Sequence, residues 1–549
     1  MSTRRTAILL ILVLFAAVAL VGCPAADPED PVDPDPDTED PDVEDPDPTE
    51  PEERELTIGY YNEFNLLDPH KTSAAMDGPP LFALFDGLVD ANGSTGEIHP
   101  NLATDWSVSE DGTVWTFELK DDVYFHDGTH FDADAVVTNF ERIVDPETVS
   151  EAARFEIGPF KEARAVGDYT VEIEHEEPYG PFLRGLAHYS VMMVSPAAVE
   201  EYGEDFGTEN PVGTGPFVFE EWVGGSHARF AKNDEYHGGP DFTSSQAYYE
   251  ALEFRFIEED STRAAALETG EVDVASNMAP ADWLRVQDGG FGGHRYDRLG
   301  YPPVGLFINV DEEPTDDVRV RRALIHAVDE ELVIAVDGEG IPNPSGGVVS
   351  RHAWEYNPEA GEMYDYDPEK AAELLDDAGW EMGDDGYREK DGERLELVYL
   401  TLTGARSTAE VVEPMLVEIG IDVEILVQDN PMQQNTAQDG DHNLVWTQWG
   451  GTDPSALSGR YHSENIGDGW NFCHYANAEI DELFARGERE TDPDEREAIY
   501  HEIQMILMED ATIVPLHNAA ILWNYRDGIE GWEPWDSTGW FGFFVNLHE

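Results

Sequence analysis

Apolar and polar residues fall into three regimes along this chain. Residues 7–21 are uncharged and apolar, residues 24–55 are Asp, Glu and Pro with almost nothing apolar, and from Leu56 onward short alternating and helical patterns succeed one another. Leu56-Thr-Ile-Gly-Tyr60 reads as a short strand, followed by a turn over residues 65–70 and an apolar segment of helical character over residues 81–89. Between Ile98 and Ile143 the pattern is one of strands: Trp106-Ser-Val, then Val114-Trp-Thr-Phe-Glu-Leu, then Val123-Tyr-Phe. In the second of these, Trp115, Phe117 and Leu119 alternate with Val114, Thr116 and Glu118, as a strand buried on one face requires. Asp111-Gly112 and Asp127-Gly128 supply turns. Asp132 caps a helix carrying Val136, Val137, Phe140 and Ile143 at helical spacing.

Further along, Gly213-Thr-Gly-Pro marks a tight turn. Residues 262–269 form a short helix closed by Gly270, and Val272-Asp-Val-Ala returns as a buried strand. Residues 316–336 read as one long helix, with Val320, Leu324, Ala327 and Val328 on one face and Gly338 beyond its end. Asp367, Pro368 and Gly379 frame another helix with cap, first-turn proline and stop. A last long helix starts at Asp492-Pro493, with Ile499, Ile503, Ile506 and Leu507 facing inward. Strands alternating with helices over some 500 residues indicate α/β lobes.

One stretch breaks both periods. Residues 445–475, VWTQWGGTDPSALSGRYHSENIGDGWNFCHY, hold Trp446, Trp449 and Trp470 between Gly-Gly, Asp-Pro and Gly-Asp-Gly turn signals. Glycine and proline at this density exclude a regular helix. Aromatic rings on an irregular loop, with polar groups between them, suit a small-molecule pocket; rings plugging a core is the other reading.

Charge narrows the functional classes. The chain carries 117 acidic against 31 basic residues, a formal net charge of −86, with six lysines in all. Acid spread this evenly is a solubility device. In dilute buffer such a body repels itself, whereas at ~1 M salt the Debye length is about 3 Å and the repulsion is screened. A halophilic source is therefore expected. The same charge argues against nucleic acid and anionic lipid surfaces as partners, and it makes carboxylate pairs uninformative as catalytic signals.

The N-terminus adds an address. Arg4-Arg5, the apolar run and Gly22-Cys23 have the layout of an export signal over residues 1–22, by the general secretory or the twin-arginine route. An uncleaved signal anchor is the alternative. Leu20-Val21-Gly22-Cys23 resembles the lipobox of bacterial lipoproteins, which implies a lipid on Cys23 and anchorage to the outer face of the cytoplasmic membrane. The acidic, proline-rich residues 23–55 have no apolar surface to bury and form an extended stalk, at roughly 3 Å per residue. Cys473, the one other cysteine, is most simply a small apolar core residue.

LATDWSVSEDGTVWTFELKDDVYFHDGTHFDADAVVTNFERI closely resembles the signature segment of the family 5 extracellular solute-binding proteins, the peptide and nickel receptors of ABC importers. The resemblance continues through NPVGTGPF, RAAALETGEVDVA, DDVRVRRALIHAVD and YDPEKAAELLDDAGW, in order. It implies an α/β, two-lobed periplasmic-binding-protein fold, type II-like and of the large cluster, with mixed sheets and an extra inserted subdomain. Lobe I is placed at 56–300 with the insertion at about 98–205, lobe II at 301–518, and a return to lobe I at 519–549. The two crossings near 301–309 and 511–523 form the hinge. The implied partners are a small solute and membrane permease subunits, with the protein itself a monomer.

The search for enzyme chemistry returns no His-Glu-x-x-His, Gly-x-Ser-x-Gly or Cys-x-x-Cys, and no Gly-Lys-Ser/Thr phosphate cradle. No catalytic residue, cofactor or resident metal is assigned. His442, His462 and His474 near the aromatic stretch keep a nickel complex as a minor alternative cargo. The candidate ligand-binding residues are Met76 and Asp77 on one wall, and Trp446, Trp449, Asp453, Trp470, Asn471 and His474 on the other. Peptide-binding relatives grip the α-amino group with an acid just before the Asp-Pro-type turn, yet residues 447–452 contain none. Asp453 is the substitute for that role, or only a turn residue. A peptide is the first expectation and an oligosaccharide stacked on the tryptophans the second. A secreted carboxylate-dependent hydrolase is the rival from another class.

Overall fold

The alternating segment at Leu56 becomes the strand Glu55–Tyr60, which pairs in parallel with Ala251–Phe256 on one side and Val274–Ala275 on the other. The computed structural model to which these strands belong describes residues 54–93, 96–451, 453–533 and 542–549. The leader at 1–22, Cys23 and the acidic segment as far as Glu53 lie outside the described residues.

Two large mixed sheets organise the chain. The seven-stranded sheet takes its strands from three stretches: Glu55–Tyr60, the run from Phe217–Val223 to Gly292–Asp297, and Ala520–Tyr525. The five-stranded sheet takes Val304–Ile308, Glu396–Leu402, Asp422–Gln428, Leu444–Thr447 and Ile513–His517. The chain thus passes from the first sheet to the second over residues 298–303 and comes back over residues 518–519. A four-stranded antiparallel sheet, from Ala103–Val108 to Thr170–His175, stands apart with its own core of Phe117, Phe131, Phe140 and Phe182.

Local signals account for most element ends. The Asp132 carboxylate accepts from Ala135 N at 2.9 Å and starts the helix Ala133–Val144. Gly270, at φ +75°, stops the helix Asp260–Thr269 in the left-handed region that glycine enters without strain. The turn at Gly213 is demanded by packing: a Cβ there would lie 2.2 Å from the Leu84 carbonyl oxygen.

Three expectations are corrected. Residues 316–336 are two helices, Val318–Ala327 and Glu330–Asp337. Val328 is extended, and the Asp329 carboxylate accepts from Leu332 N at 3.0 Å, so an N-cap interrupts a continuous apolar pattern. The helix expected over 81–89 is Gly78–Leu84, because Phe85 turns extended where Gly213 and Gly215 press on the backbone. Val123-Tyr-Phe makes a single bridge, Tyr124 to His130, instead of a strand.

Candidate functional site

The aromatic stretch begins as the strand Leu444–Thr447, at the centre of the five-stranded sheet between Glu396–Leu402 and Val304–Ile308. Past Thr447 the loop folds onto the crossing segment. Tyr301 N donates to Trp449 O at 2.8 Å and Trp449 N to Pro302 O at 3.1 Å, with a further bridge between Gly300 and Gly450. The loop is thereby tied to the chain where it passes from one sheet to the other. Gly450 lets that contact form, since a Cβ there would lie 2.7 Å from Arg298 Nε.

The three tryptophans do different work. Trp446 follows Val445 in a strand, so the two side chains point to opposite faces and enter different cores. Trp449 is 40% exposed, and its ring centroid lies 5.3 Å from that of Trp470. The Arg460 guanidinium sits against both rings, 3.5 Å from the Trp449 centroid and 4.9 Å from that of Trp470. Arg460 is 4% exposed, and among the described residues its Nε and Nη1 have no hydrogen-bond partner. Burial alone pushes its pKa down to about 9. Two such ring contacts contribute about 2 kcal/mol each at best, against an effective penalty of several kcal/mol for an ion taken out of water.

The remaining predicted residues hold the loop in place. Asp453 is buried, accepts two hydrogen bonds from Arg496 at 2.6 and 2.7 Å, and caps the turn Pro454–Leu457 through Ser455 N. The Arg496 guanidinium keeps the Asp453 carboxyl ionised, below its ordinary range, against the opposing effect of burial. Asn471 spends its amide on His462 O, Tyr475 O and Tyr475 N. A ring nitrogen of His474 lies 2.9 Å from Ala437 O. On the other sheet, Asp77 is fully buried and its carboxylate accepts from Asn65 N, Leu66 N and the Thr72 hydroxyl. Met76 is half-buried, and its carbonyl accepts from the Tyr60 hydroxyl at 2.7 Å. The structure therefore brings Trp449 and Trp470 together and sets Trp446, Asp453, Asn471 and His474 in the frame around them, whereas Asp77 is spent on residues 65, 66 and 72 and touches neither ring.

Beside the loop lies a buried ionic group that sequence reasoning missed. Glu355 has no exposed surface, and the Tyr301 hydroxyl is 3.5 Å from its Oε2. Burial raises its pKa to about 7, although Arg184 and Arg496 favour the charged form. Arg184 comes from the region of the four-stranded sheet and lies over the Trp354 ring at 5.1 Å. Among the described residues no three His, Cys, Asp or Glu side chains are grouped so as to hold a metal ion.

A sequence model of the bacterial extracellular solute-binding proteins, family 5 middle, matches residues 97–468. The chain belongs to that family. It is a transport receptor of the ABC-importer class and not an enzyme. The glutathione-binding protein GsiB of Escherichia coli is 26% identical over 510 residues, spanning 88% of this chain and 93% of that protein. Among solved structures, NikA from Brucella suis in complex with Fe(III)-EDTA superposes with a TM-score of 0.77 at 27% identity, covering 90% of this chain and 99% of the other. DppA from Helicobacter pylori in complex with the peptide STSA gives a TM-score of 0.67 at 25% identity, covering 90% and 97%. These family 5 receptors share the two-lobed α/β architecture seen here. Among the described residues no helix is long and apolar enough to cross a membrane.

Proposed function

We propose that this receptor captures a small peptide-class solute between its two lobes and presents the closed form to a membrane permease. The observation that carries this reading is the pairing of the Trp449 loop with the crossing segment at Tyr301 and Pro302. A wall fixed to the crossing turns with it, so ligand contact and lobe closure are one event. Closure then needs only a ligand with higher affinity for the closed form than for the open one. Met76 is kept as the candidate for the wall from lobe I, with the buried Asp77 behind it, and the hinge is placed at the crossings near 301–309 and 511–523, whose links between the sheets are residues 298–303 and 518–519. The glutathione and peptide recorded for GsiB and DppA support the solute class. An oligosaccharide is the second reading, favoured by the exposed ring of Trp449.

A thermal-shift screen at molar KCl with tripeptides, glutathione, oligosaccharides and a nickel–histidine complex tests this. A true ligand at 100-fold over its dissociation constant adds roughly 2.7 kcal/mol of stability. A shift with sugars alone replaces the peptide reading by the second one. No shift with any class defeats the receptor reading of this cleft.

Residues 1–22 are proposed as a lipoprotein leader, Cys23 as the acylated residue and residues 23–55 as the stalk. The receptor is proposed to act as a monomer on the outer face of the membrane in a halophilic cell. The Leu20–Cys23 motif and the net charge of −86 support these points.

A further inference from the structure

Five arginines are buried among the described residues, and four of them donate to carbonyl or carboxylate oxygens. Arg263 donates to Ser276 O, Ile257 O, Asn277 O and Asp260, and Arg321 to Asp510 O, Thr315 O and Asp316 O. Arg388 holds Ile419 O, Trp380 O and Asp376, and Arg496 holds Gly487 O and Asp453. Arg460 is the exception. In a chain with 117 acidic residues, no carboxylate and no carbonyl among the described residues accepts from it. The Trp449 ring lies 3.5 Å and the Trp470 ring 4.9 Å from its guanidinium carbon, and neither offers Nε or Nη1 a hydrogen-bond acceptor. An unpaired buried donor with this geometry is a cost to the empty receptor that an incoming acceptor removes.

A second arginine stands beside this loop, on the crossing segment. Arg298 packs against Gly450, the neighbour of Trp449, and its Nε also has no partner among the described residues. Burial lowers its pKa, with the Tyr189 and Tyr61 hydroxyls opposing that effect. Two cations without carboxylate partners thus flank Trp449-Gly450, while acid dominates everywhere else.

We propose that Arg460, packed against the adjacent rings of Trp449 and Trp470 and seconded by Arg298, is the subsite for a carboxylate group of the transported solute. This rests on the receptor reading given above and names the chemistry the cleft selects. A buried guanidinium packed against aromatic rings is pre-oriented, so a carboxylate meets it without further ordering of the side chain. The loop selects an acid where peptide-binding relatives are built to hold an amine, in keeping with the lack of any acidic residue over residues 447–451 and the engagement of Asp453 by Arg496.

The test compares acids with their amides on the full chain at molar KCl by calorimetric titration. The probes are trialanine and trialanine amide, and glutathione and its glycine-carboxyl amide. The acid of each pair is expected to bind at least 10-fold tighter than the amide. Arg460→Met, which keeps the length and apolar packing, is expected to bring acid and amide within twofold while leaving the melting temperature of the empty protein unchanged or raised. A merely structural arginine would instead lower that temperature and leave the acid preference intact, and that outcome overturns the assignment. Equal binding of acid and amide by the unaltered protein overturns it too, without recourse to any variant. If none of the four probes binds, the peptide-class reading falls along with the subsite.

Discussion

The backbone amide of Gly180 donates to the carbonyl of Glu488 at 2.7 Å, joining the region of the four-stranded sheet to the helix Ala478–Arg489. Glu177 and Arg489 meet alongside at 3.0 Å, both side chains more than half exposed. A Cβ on Gly180 would lie 1.9 Å from Glu490 O, so this approach of the two bodies requires glycine. Gly180→Ala is expected to hold the lobes apart: small-angle scattering should show a larger radius of gyration with ligand bound, and affinity should fall at least tenfold. Arg489→Ala should change stability by no more than about 0.5 kcal/mol, as for other exposed pairs. Scattering curves identical to wild type for Gly180→Ala would refute this role for the contact.

Asp453 and Arg496 form the buried pair beneath the loop. Removing one partner leaves the other charged and unpaired, so Asp453→Ala should lose about 3–5 kcal/mol in urea melts at molar salt. Adding Arg496→Met should restore most of that loss. A single substitution that costs under 1 kcal/mol would show that the pair does not anchor the loop.

Glu355 sets a pH dependence. Its folded pKa of about 7 lies above the ordinary glutamate value near 4.5, so the folded state keeps a proton that the unfolded state releases. Stability is therefore expected to fall as pH rises from about 4.5 to about 7, and to level off above, by on the order of 3 kcal/mol. Glu355→Gln, neutral throughout, should flatten that slope and be the more stable form at pH 8. Parallel melting curves of the two proteins between pH 5 and pH 8 would contradict this.

The acidic surface makes stability depend on salt. The midpoint of thermal unfolding should rise between dilute buffer and molar KCl as mutual repulsion is screened. A midpoint that stays level or falls would argue against the halophilic reading.

Much of the fold was legible because local signals decide it: the alternation at Val114, the cap at Asp132 and the stop at Gly270 all mark real element ends. The break at Asp329 was not, since an N-cap inside an unbroken apolar pattern shows only once the chain is seen to turn there. The aromatic loop was legible as an irregular segment, yet sequence cannot tell which tryptophan is exposed. Strand alternation assigns Trp446 to a core, and only tertiary packing sets Trp449 against Trp470. Arg460 drew no notice, because in so acidic a chain any arginine reads as paired. The acid expected to hold a ligand amine, Asp453, has a partner 43 residues away at Arg496, a separation no local pattern reveals.

Within the single stretch from Trp449 to His474, anchoring and recognition fall on different side chains. Asp453, Asn471 and His474 fasten the loop to the body, while the exposed Trp449 ring and the unpaired nitrogens of Arg460 are the groups proposed to meet the solute. Mutation can therefore rework the second set with little penalty in folding, so that a duplicated gene has a short route to a new cargo. The same scaffold can diverge in what it carries while its architecture, its hinge and the face it offers to the permease stay unchanged.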